Sequence, residues 1–320
     1  MTKVLAIVGP TAVGKTALSV HLAHRLNGAV ISGDSMQVYR KLDIGTAKVT
    51  PAEKAGVPHY LIDIRNVDQQ YSVAEFKREA KAKIHSIAQN GQLPIIVGGT
   101  GFYLHALTNE LALGNDQEES KQIREKWHQK AEKLGKEVIW QQLNQLDPEA
   151  ANKIPVQNLR RTIRALEVIE KTGQLFSQQP QLTTEDDYFI IGLTTDRQKL
   201  YDRINQRVDQ MMTQGLLDEA RWLYDQGGEK LPAGKGIGYR ELFPYFTGEC
   251  SLDAAVEKIK LDSRHYAKRQ LTWFRNQEDC HWFDLVQEKD RACNNGPIFF
   301  AIACVCSADS TLIFNIFLLH

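Results

Sequence analysis

Five short apolar runs punctuate the chain, at residues 4–8, 29–32, 60–64, 94–97 and 188–193. They are continuous rather than alternating, the pattern of parallel strands covered on both faces. Between them the period lengthens to that of a helix. Leu18, Leu22 and Leu26 recur every four residues, and Gly28 is expected to stop that helix. Ser72 and Glu75 have the spacing of a capping box, with Phe76, Ala80, Ile84 and Ile87 following on one face. Strand–helix alternation of this kind predicts an α/β fold built on a doubly wound parallel sheet.

From about residue 114 to 187 the chain is rich in Gln, Glu, Lys and Leu and has no strand-like run. It sits between two strands, so a helical insertion domain at 114–185 is expected, inside a discontinuous core at 1–113 and 186–286. Downstream, Leu200, Ile204, Val208 and Met211 mark one helix face, with Arg203 and Arg207 beside it and Gly215 interrupting. A glycine-rich loop at 234–238 precedes a helix expected over 252–274. The last stretch, 287–320, is atypical: apolar at 298–306 and 311–319, with a polar break between. A membrane-spanning helix needs about 20 predominantly apolar residues, a length reached only by including the break. A non-native or frame-altered tail is therefore preferred to a packed appendage, and either to a membrane anchor.

The 320 residues carry 39 basic and 39 acidic side chains, so a protein basic all over is excluded while a local basic face is not. Hydrophobic residues at 42% and charged ones at 24% exclude disorder, collagen-like repeats and a coiled coil. The five cysteines form no C-x-x-C pair, which argues against a zinc site and for reduced thiols in the cytoplasm. The apolar run at 4–8 is too short for a signal peptide and reads as the first strand.

Gly9-Pro10-Thr11-Ala12-Val13-Gly14-Lys15-Thr16 satisfies G-x-x-x-x-G-K-[ST] in full. Its glycines let backbone N–H groups turn around phosphate oxygens at a helix N-terminus. Lys15 would neutralise a diphosphate and Thr16 would hold Mg²⁺. Asp34 comes just after the second strand, off the carboxyl edge where ligands sit in doubly wound sheets. That carboxylate could accept a proton or hold Mg²⁺ through water; equally, it could cap a helix. A second glycine turn, Gly98-Gly99-Thr100-Gly101, reaches the same edge. The loop alone leaves a P-loop small-molecule or nucleotide kinase open, as well as a non-catalytic RNA-binding protein.

The residues together resemble one family, the tRNA dimethylallyltransferases (tRNA isopentenyltransferases). The resemblance rests on the phosphate loop, on Asp34-Ser35-Met36-Gln37-Val38-Tyr39, and on Leu42-Asp43-Ile44-Gly45-Thr46-Ala47-Lys48. It continues through Gly98-Gly99-Thr100-Gly101-Phe102-Tyr103, Asn158-Leu159-Arg160-Arg161-Thr162, Gly236-Ile237-Gly238-Tyr239-Arg240-Glu241 and Ala267-Lys268-Arg269-Gln270-Leu271-Thr272-Trp273-Phe274. It covers roughly residues 3–285; the tail has no counterpart, nor is there a zinc-finger extension.

The resemblance implies transfer of a dimethylallyl group from its diphosphate to N6 of adenosine 37, in tRNAs reading codons that begin with U. It implies that Asp34 is the general base and that Lys15, Thr16 and Arg207 serve the diphosphate, with Mg²⁺. Asp34, Ser35, Met36, Gln37 and Thr100 would touch the target nucleotide. Arg124, Gln157, Asn158, Leu159, Arg160 and Arg161 would contact tRNA. The implied partners are a tRNA anticodon stem-loop and dimethylallyl diphosphate, with no membrane and with a monomeric protein.

Two local features suit RNA. Lys258, Lys260, Arg264, Lys268, Arg269 and Arg275 face a single acid, Asp262, between residues 258 and 275. Arg160, Arg161 and Arg164 lie off the apolar line of Leu159, Ile163 and Leu166, as a solvent-facing basic stripe would. Tyr266, Trp273 and Phe274 interleave with the first cluster, where core packing is the preferred role.

Overall fold

The computed structural model describes residues 1–110, 118–179 and 184–284. The apolar tail at 287–320 lies outside them, with Cys293, Cys304 and Cys306. Strands β1 (Lys3–Val8), β2 (Gly28–Ser32), β3 (His59–Tyr60), β4 (Leu93–Gly98), β5 (Asp187–Leu193) and β6 (His281–Phe283) form one parallel sheet in the order β3-β2-β4-β1-β5-β6. Helices α1 (Lys15–Arg25), α2 (Pro51–Lys54), α3 (Val73–Gln89) and α4 (Gly101–Thr108) connect the first strands. After β5 come α9 (Arg197–Gln214), α10 (Leu216–Asp225), α11 (Phe243–Phe246) and α12 (Leu252–Gln277).

Side chains alternate across a strand, and β1 shows why its run had to be apolar throughout. Leu5 and Ile7 pack with Ile95 and Ile191 against Leu18, Leu22, Leu200 and Ile204 of α1 and α9. Val4, Ala6 and Val8 pack on the other face, with Phe76, Ile84 and Leu107 of α3 and α4 and Phe274 of α12. Truncating Ile7, fully buried between Val97 and Ile191 in register, to Ala is expected to cost about 2–5 kcal/mol. β1 is flanked by β4 and β5, so the connections diverge from it and leave a crevice at the carboxyl edge.

Three expectations need correction. The run at 60–64 is a strand only at His59–Tyr60, because Leu61 and Asp63 take left-handed φ values of 61° and 57° that turn the chain away. The first helix ends at Arg25, before Leu26 and a left-handed Asn27. Gly28 instead begins β2, where a Cβ would stand 2.7 Å from Ile95 Cδ1. β6 escapes sequence reading because three residues, His-Trp-Phe, carry no period. The Ser72–Glu75 capping box forms, and Gly215 ends α9 with φ 105°.

Contacts divide the chain into one unit, built from Met1–Thr108 with the described residues from Thr184 onward, and a second within Asn109–Thr183. The second is helical: α5 (Glu118–Leu134), α6 (Lys136–Leu146), α7 (Pro148–Lys153) and α8 (Leu159–Thr172). Its core is Trp127, Ile139, Leu143, Ile163 and Leu166. The buried Asp147 ties it together, accepting from Ala150 N at 3.0 Å and Ser177 N at 2.8 Å. Among the described residues no helix is long and apolar enough to cross a membrane.

Candidate active site

The loop after β1 turns sharply at Gly9 (φ 142°), where a Cβ would lie 2.6 Å from Leu193 O, and again at Gly14 (φ 109°). Gly14 places no side-chain cap on α1, which leaves its first N–H groups for an anion. Lys15 Nζ folds back onto the loop, donating to Gly9 O at 3.0 Å and Pro10 O at 2.7 Å. Burial, reinforced by the neighbouring Arg207 charge and opposed by Asp34, lowers the Lys15 ammonium to about 7. A lysine so poised gains strongly from a polyanion. Thr16 is exposed at the first turn of α1, whereas Val13 is buried in the core and serves packing.

α9 lies across the same loop. Arg203 Nε donates to Ala12 O at 2.8 Å, and Arg207 Nη1 to Thr11 Oγ1 at 3.4 Å. Burial lowers the affinity of Arg207 for its proton, while the Glu53 and Asp34 charges oppose that. Guanidinium stays charged regardless.

Asp34 stands on the turn after β2. Its Oδ1 accepts from Met36 N at 2.8 Å and Gln37 N at 3.3 Å, which fixes the carboxylate on its own turn. No helix begins there, so the helix-cap alternative is excluded. Thr100 Oγ1 accepts from Ser35 N at 3.3 Å, and this joins the second glycine turn to Asp34's. Gln37 is committed to structure: Ser32 Oγ donates to its Oε1 at 2.9 Å, and its Nε2 donates to Thr46 O and Ala47 O at 3.3 Å. Met36 packs against Gly236, where a Cβ would meet its Cε at 2.6 Å.

These turns enclose a cavity of about 730 Å³. Lys15, Arg203, Arg207, Lys235, Arg240 and Arg269 line it, against the carboxylates Asp34 and Glu53 alone. Arg240 is paired outside the lining with Glu241 at 2.7 Å and Asp262 at 3.4 Å, which leaves five cations around two acids, a surplus that suits a polyanion. Among the described residues no group of three His, Cys, Asp or Glu is placed to hold a metal. The donors near the loop are oxygens, the Thr16 hydroxyl and the Asp34 carboxylate. That set suits a hard cation such as Mg²⁺, which takes most of its ligands from substrate phosphate and water.

Some contributors were not legible as site residues. Gln270 of α12 is buried; its Oε1 accepts from Thr11 N at 3.0 Å and its Nε2 donates to Gly99 O at 2.9 Å. Tyr266, one turn earlier, lines the cavity rather than the core, and burial, then the Asp34 charge, push its hydroxyl up to about 12. Glu219 accepts from three successive N–H groups, Asp43 at 2.7 Å and Ile44 and Gly45 at 2.9 Å, and from Tyr239 Oη at 2.6 Å. It thereby holds the loop carrying Gly45, Thr46 and Ala47 along the cavity wall. The available signal was a polar residue at an apolar position of a helix.

The basic cluster on α12 is smaller than its sequence count. Lys258 pairs with Asp262 at 2.8 Å, Lys260 with Asp209 at 2.8 Å, and Arg264 Nη1 donates to Asn205 Oδ1 at 2.6 Å. Those three secure α12, largely to α9; Lys268, Arg269 and Arg275 remain exposed. Phe274 is core, as expected, while Trp273 packs edge-on to Phe102.

In the helical unit, Asn158 caps α8 by accepting from Arg161 N at 3.2 Å, and Leu159 packs on the unit's core. Gln157 Oε1 accepts from Lys136 Nζ, and Arg124 is half-buried on α5. Arg160 and Arg161 project exposed from the first turn of α8, where the helix dipole disfavours cations. Arg164 departs from the expected stripe: it turns inward to pair at 2.8 Å with the fully buried Glu167.

Comparison with known proteins sharpens this picture. The family model described as IPP transferase matches residues 37–277. A "tRNA dimethylallyltransferase" of Limosilactobacillus reuteri (strain DSM 20016) is 66% identical over 292 residues, 91% of this chain and 95% of the relative. One of Enterococcus faecalis (strain ATCC 700802 / V583) is 56% identical over 290 residues, 90% of this chain and 93% of the relative. The crystal structure of the tRNA isopentenylpyrophosphate transferase from Bacillus halodurans superposes with a TM-score of 0.71 at 45% identity, covering 94% of this chain and 96% of that one. A eukaryotic dimethylallyltransferase acting on tRNA superposes with a TM-score of 0.79 at 30% identity, covering 94% of this chain and 80% of that one.

Proposed function

Since the chain belongs to the IPP transferase family, whose tRNA dimethylallyltransferases it matches over nine-tenths of its length, we propose that its cavity joins a dimethylallyl group to N6 of an adenosine in tRNA. The donor is dimethylallyl diphosphate, and the acceptor is adenosine 37 of tRNAs reading codons that begin with U. The carrying observation is that one cavity gathers Lys15, Arg203 and Arg207 on a single phosphate loop with the Asp34 carboxylate lining the same space.

The exocyclic amine of adenine is a weak nucleophile, because its lone pair is delocalised into the ring. It attacks C1 of the allyl group as the C1–O bond to diphosphate breaks and positive charge develops on the allyl carbons. Stabilising the departing polyanion is therefore the main catalytic burden, and fixed charges in a desolvated site are the strongest means. The loop N–H groups, Lys15 and Arg207 supply them. Mg²⁺, held by the Thr16 hydroxyl and the diphosphate, would add Lewis-acid stabilisation of the leaving oxygens. The new C–N bond leaves a cationic nitrogen whose proton passes to Asp34, a general-base contribution of about 10²–10⁴.

The acceptor base has to leave its stack, which costs least in a single-stranded loop. Thr100 and Ser35 border the turn where it would enter. Arg160 and Arg161 are suited to phosphate contacts with the stem, and the protein acts as a monomer on this reading. A P-loop kinase would also use the loop, but the match to tRNA dimethylallyltransferases over nine-tenths of the chain favours prenyl transfer.

The test uses unmodified tRNA bearing A36-A37, with Mg²⁺ and dimethylallyl diphosphate, followed by nucleoside mass analysis. Isopentenyladenosine is expected, and changing A37 to G should abolish it. Unaltered RNA, or prenylation that persists without A37, would overturn the assignment.

A further inference from the structure

The phosphate loop and the second glycine turn follow neighbouring strands, β1 and β4, and diverge where the ladder between those strands ends. One side chain spans the gap. Gln270 accepts from Thr11 N at 3.0 Å on the first turn and donates to Gly99 O at 2.9 Å on the second. It is only 5% exposed. Only one orientation of the amide satisfies both partners, oxygen toward Thr11 and nitrogen toward Gly99. The second turn is shaped to α12. A Cβ on Gly99 would stand 2.0 Å from Gln270 Nε2, and one on Gly101 would stand 2.0 Å from Trp273 Cδ1 of the same helix. Tyr266, one helical turn before Gln270, interacts with its amide and with the Thr100 hydroxyl.

We infer that Gln270 is a positioning residue that sets the separation between the diphosphate-binding loop and the turn receiving the acceptor base. The inference rests on the prenyl-transfer reading above. Bond formation between C1 and the amine demands a near-attack spacing, and a misplacement of about 1 Å can cost a hundredfold in rate. Either turn can bind its own substrate unaided; the bridge matters only when both are bound and must meet. Its signature is therefore a loss in the chemical step with both bindings kept.

Three variants test this, each measured for donor affinity, tRNA affinity, thermal melting and the single-turnover rate of the ternary complex. Gln270→Met keeps the volume and removes both hydrogen bonds; the rate should fall about tenfold to a hundredfold while each affinity changes less than about threefold. Gly99→Ala pushes on the same amide from the other side and should give the same pattern, which keeps the test decisive if Gln270→Met does not fold. Gln270→Glu gives the sharpest readout. Ionised, the introduced carboxylate cannot donate to Gly99 O; protonated, it reproduces both hydrogen bonds. Its rate relative to the unmutated protein should therefore rise as pH falls. Lys15, Asp34, Glu53, Arg203, Arg207, Lys235, Arg240, Tyr266 and Arg269 face the same cavity, and the pH profile of Gln270→Met, which adds no ionisable group, separates their titration from that of the introduced carboxyl.

Single-turnover rates in Gln270→Met and Gly99→Ala equal to that of the unmutated protein would overturn the inference. So would losses that track weaker binding or melting, or a rate ratio for Gln270→Glu that falls, rather than rises or stays near one, as pH is lowered. If the unmutated protein itself forms no isopentenyladenosine, the functional reading falls first and takes this inference with it.

Discussion

The cavity and the first turn of α8 both gather arginines, but they do so under opposite physical conditions. In the cavity, Lys15 and Arg207 are desolvated, held by Gly9 O, Pro10 O and the Thr11 hydroxyl, and close enough to disturb one another: Arg207 helps to lower Lys15 to about 7. On α8, Arg160 and Arg161 are exposed at the first turn of the helix. Charge in the first setting is preorganised and resists salt; charge in the second is screened within about a Debye length. The lesson is that equal residue types divide the work. On the proposed reading, the cavity would govern what happens to bound substrate, and Arg160 and Arg161 would govern how readily RNA arrives and stays.

That contrast can be broken from either side. The largest effect should come from Asp34→Ala: turnover falls about 10²–10⁴-fold while tRNA still binds. Near-normal turnover would remove Asp34 as the base. Next comes Lys15. Its ammonium loses its proton near pH 7 in the free site and has to regain it beside a diphosphate. Donor binding at pH 8.5 should therefore take up a proton, seen by calorimetry in buffers of different ionisation heat. Below about pH 6 the lysine is already charged and contributes no uptake. Equal uptake in Lys15→Met would contradict this.

A smaller loss is expected from Glu219→Ala, which strips partners from three loop N–H groups and the buried Tyr239. The cost should be about 1–3 kcal/mol in denaturant unfolding, with a modest fall in turnover. An unchanged stability would show the loop to be held by other contacts. The smallest effect belongs to Arg160→Ala and Arg161→Ala. Each should raise the KM for tRNA a few-fold, leave the donor KM unmoved, and flatten the log–log salt dependence by about 0.7–0.9 for every phosphate that is no longer neutralised. A fall in kcat instead would erase the distinction between the two regions.

Much of this arrangement is legible in the sequence. The apolar runs that form β1, β2, β4 and β5 need covering on both faces, and the loop at residues 9–16 is unmistakable because its chemistry is local. Asp34 falls at the correct edge, though only the fold shows its carboxylate bound to its own turn rather than capping a helix. What escapes depends on long-range contact. Gln270 meets Thr11 across 259 positions, and Glu219 meets Asp43 across 176. No spacing rule reaches that far. The basic count on α12 misleads for the same reason: Lys260 and Arg264 are spent on α9 partners that a local reading cannot see. Arg164 turns inward because Glu167, three residues on, is buried and needs a counter-charge.

On the proposed reading, a diphosphate in the phosphate loop is a leaving group and not a phosphoryl donor. The most direct measurement offers the protein, Mg²⁺ and tRNA with either allyl-labelled dimethylallyl diphosphate or γ-labelled ATP, following label in RNA and free diphosphate together. RNA should be labelled from the first donor, with one diphosphate released per group transferred, and no phosphate should pass on from the second. Phosphate handed from ATP to any acceptor, with unlabelled RNA in the parallel reaction, would contradict it.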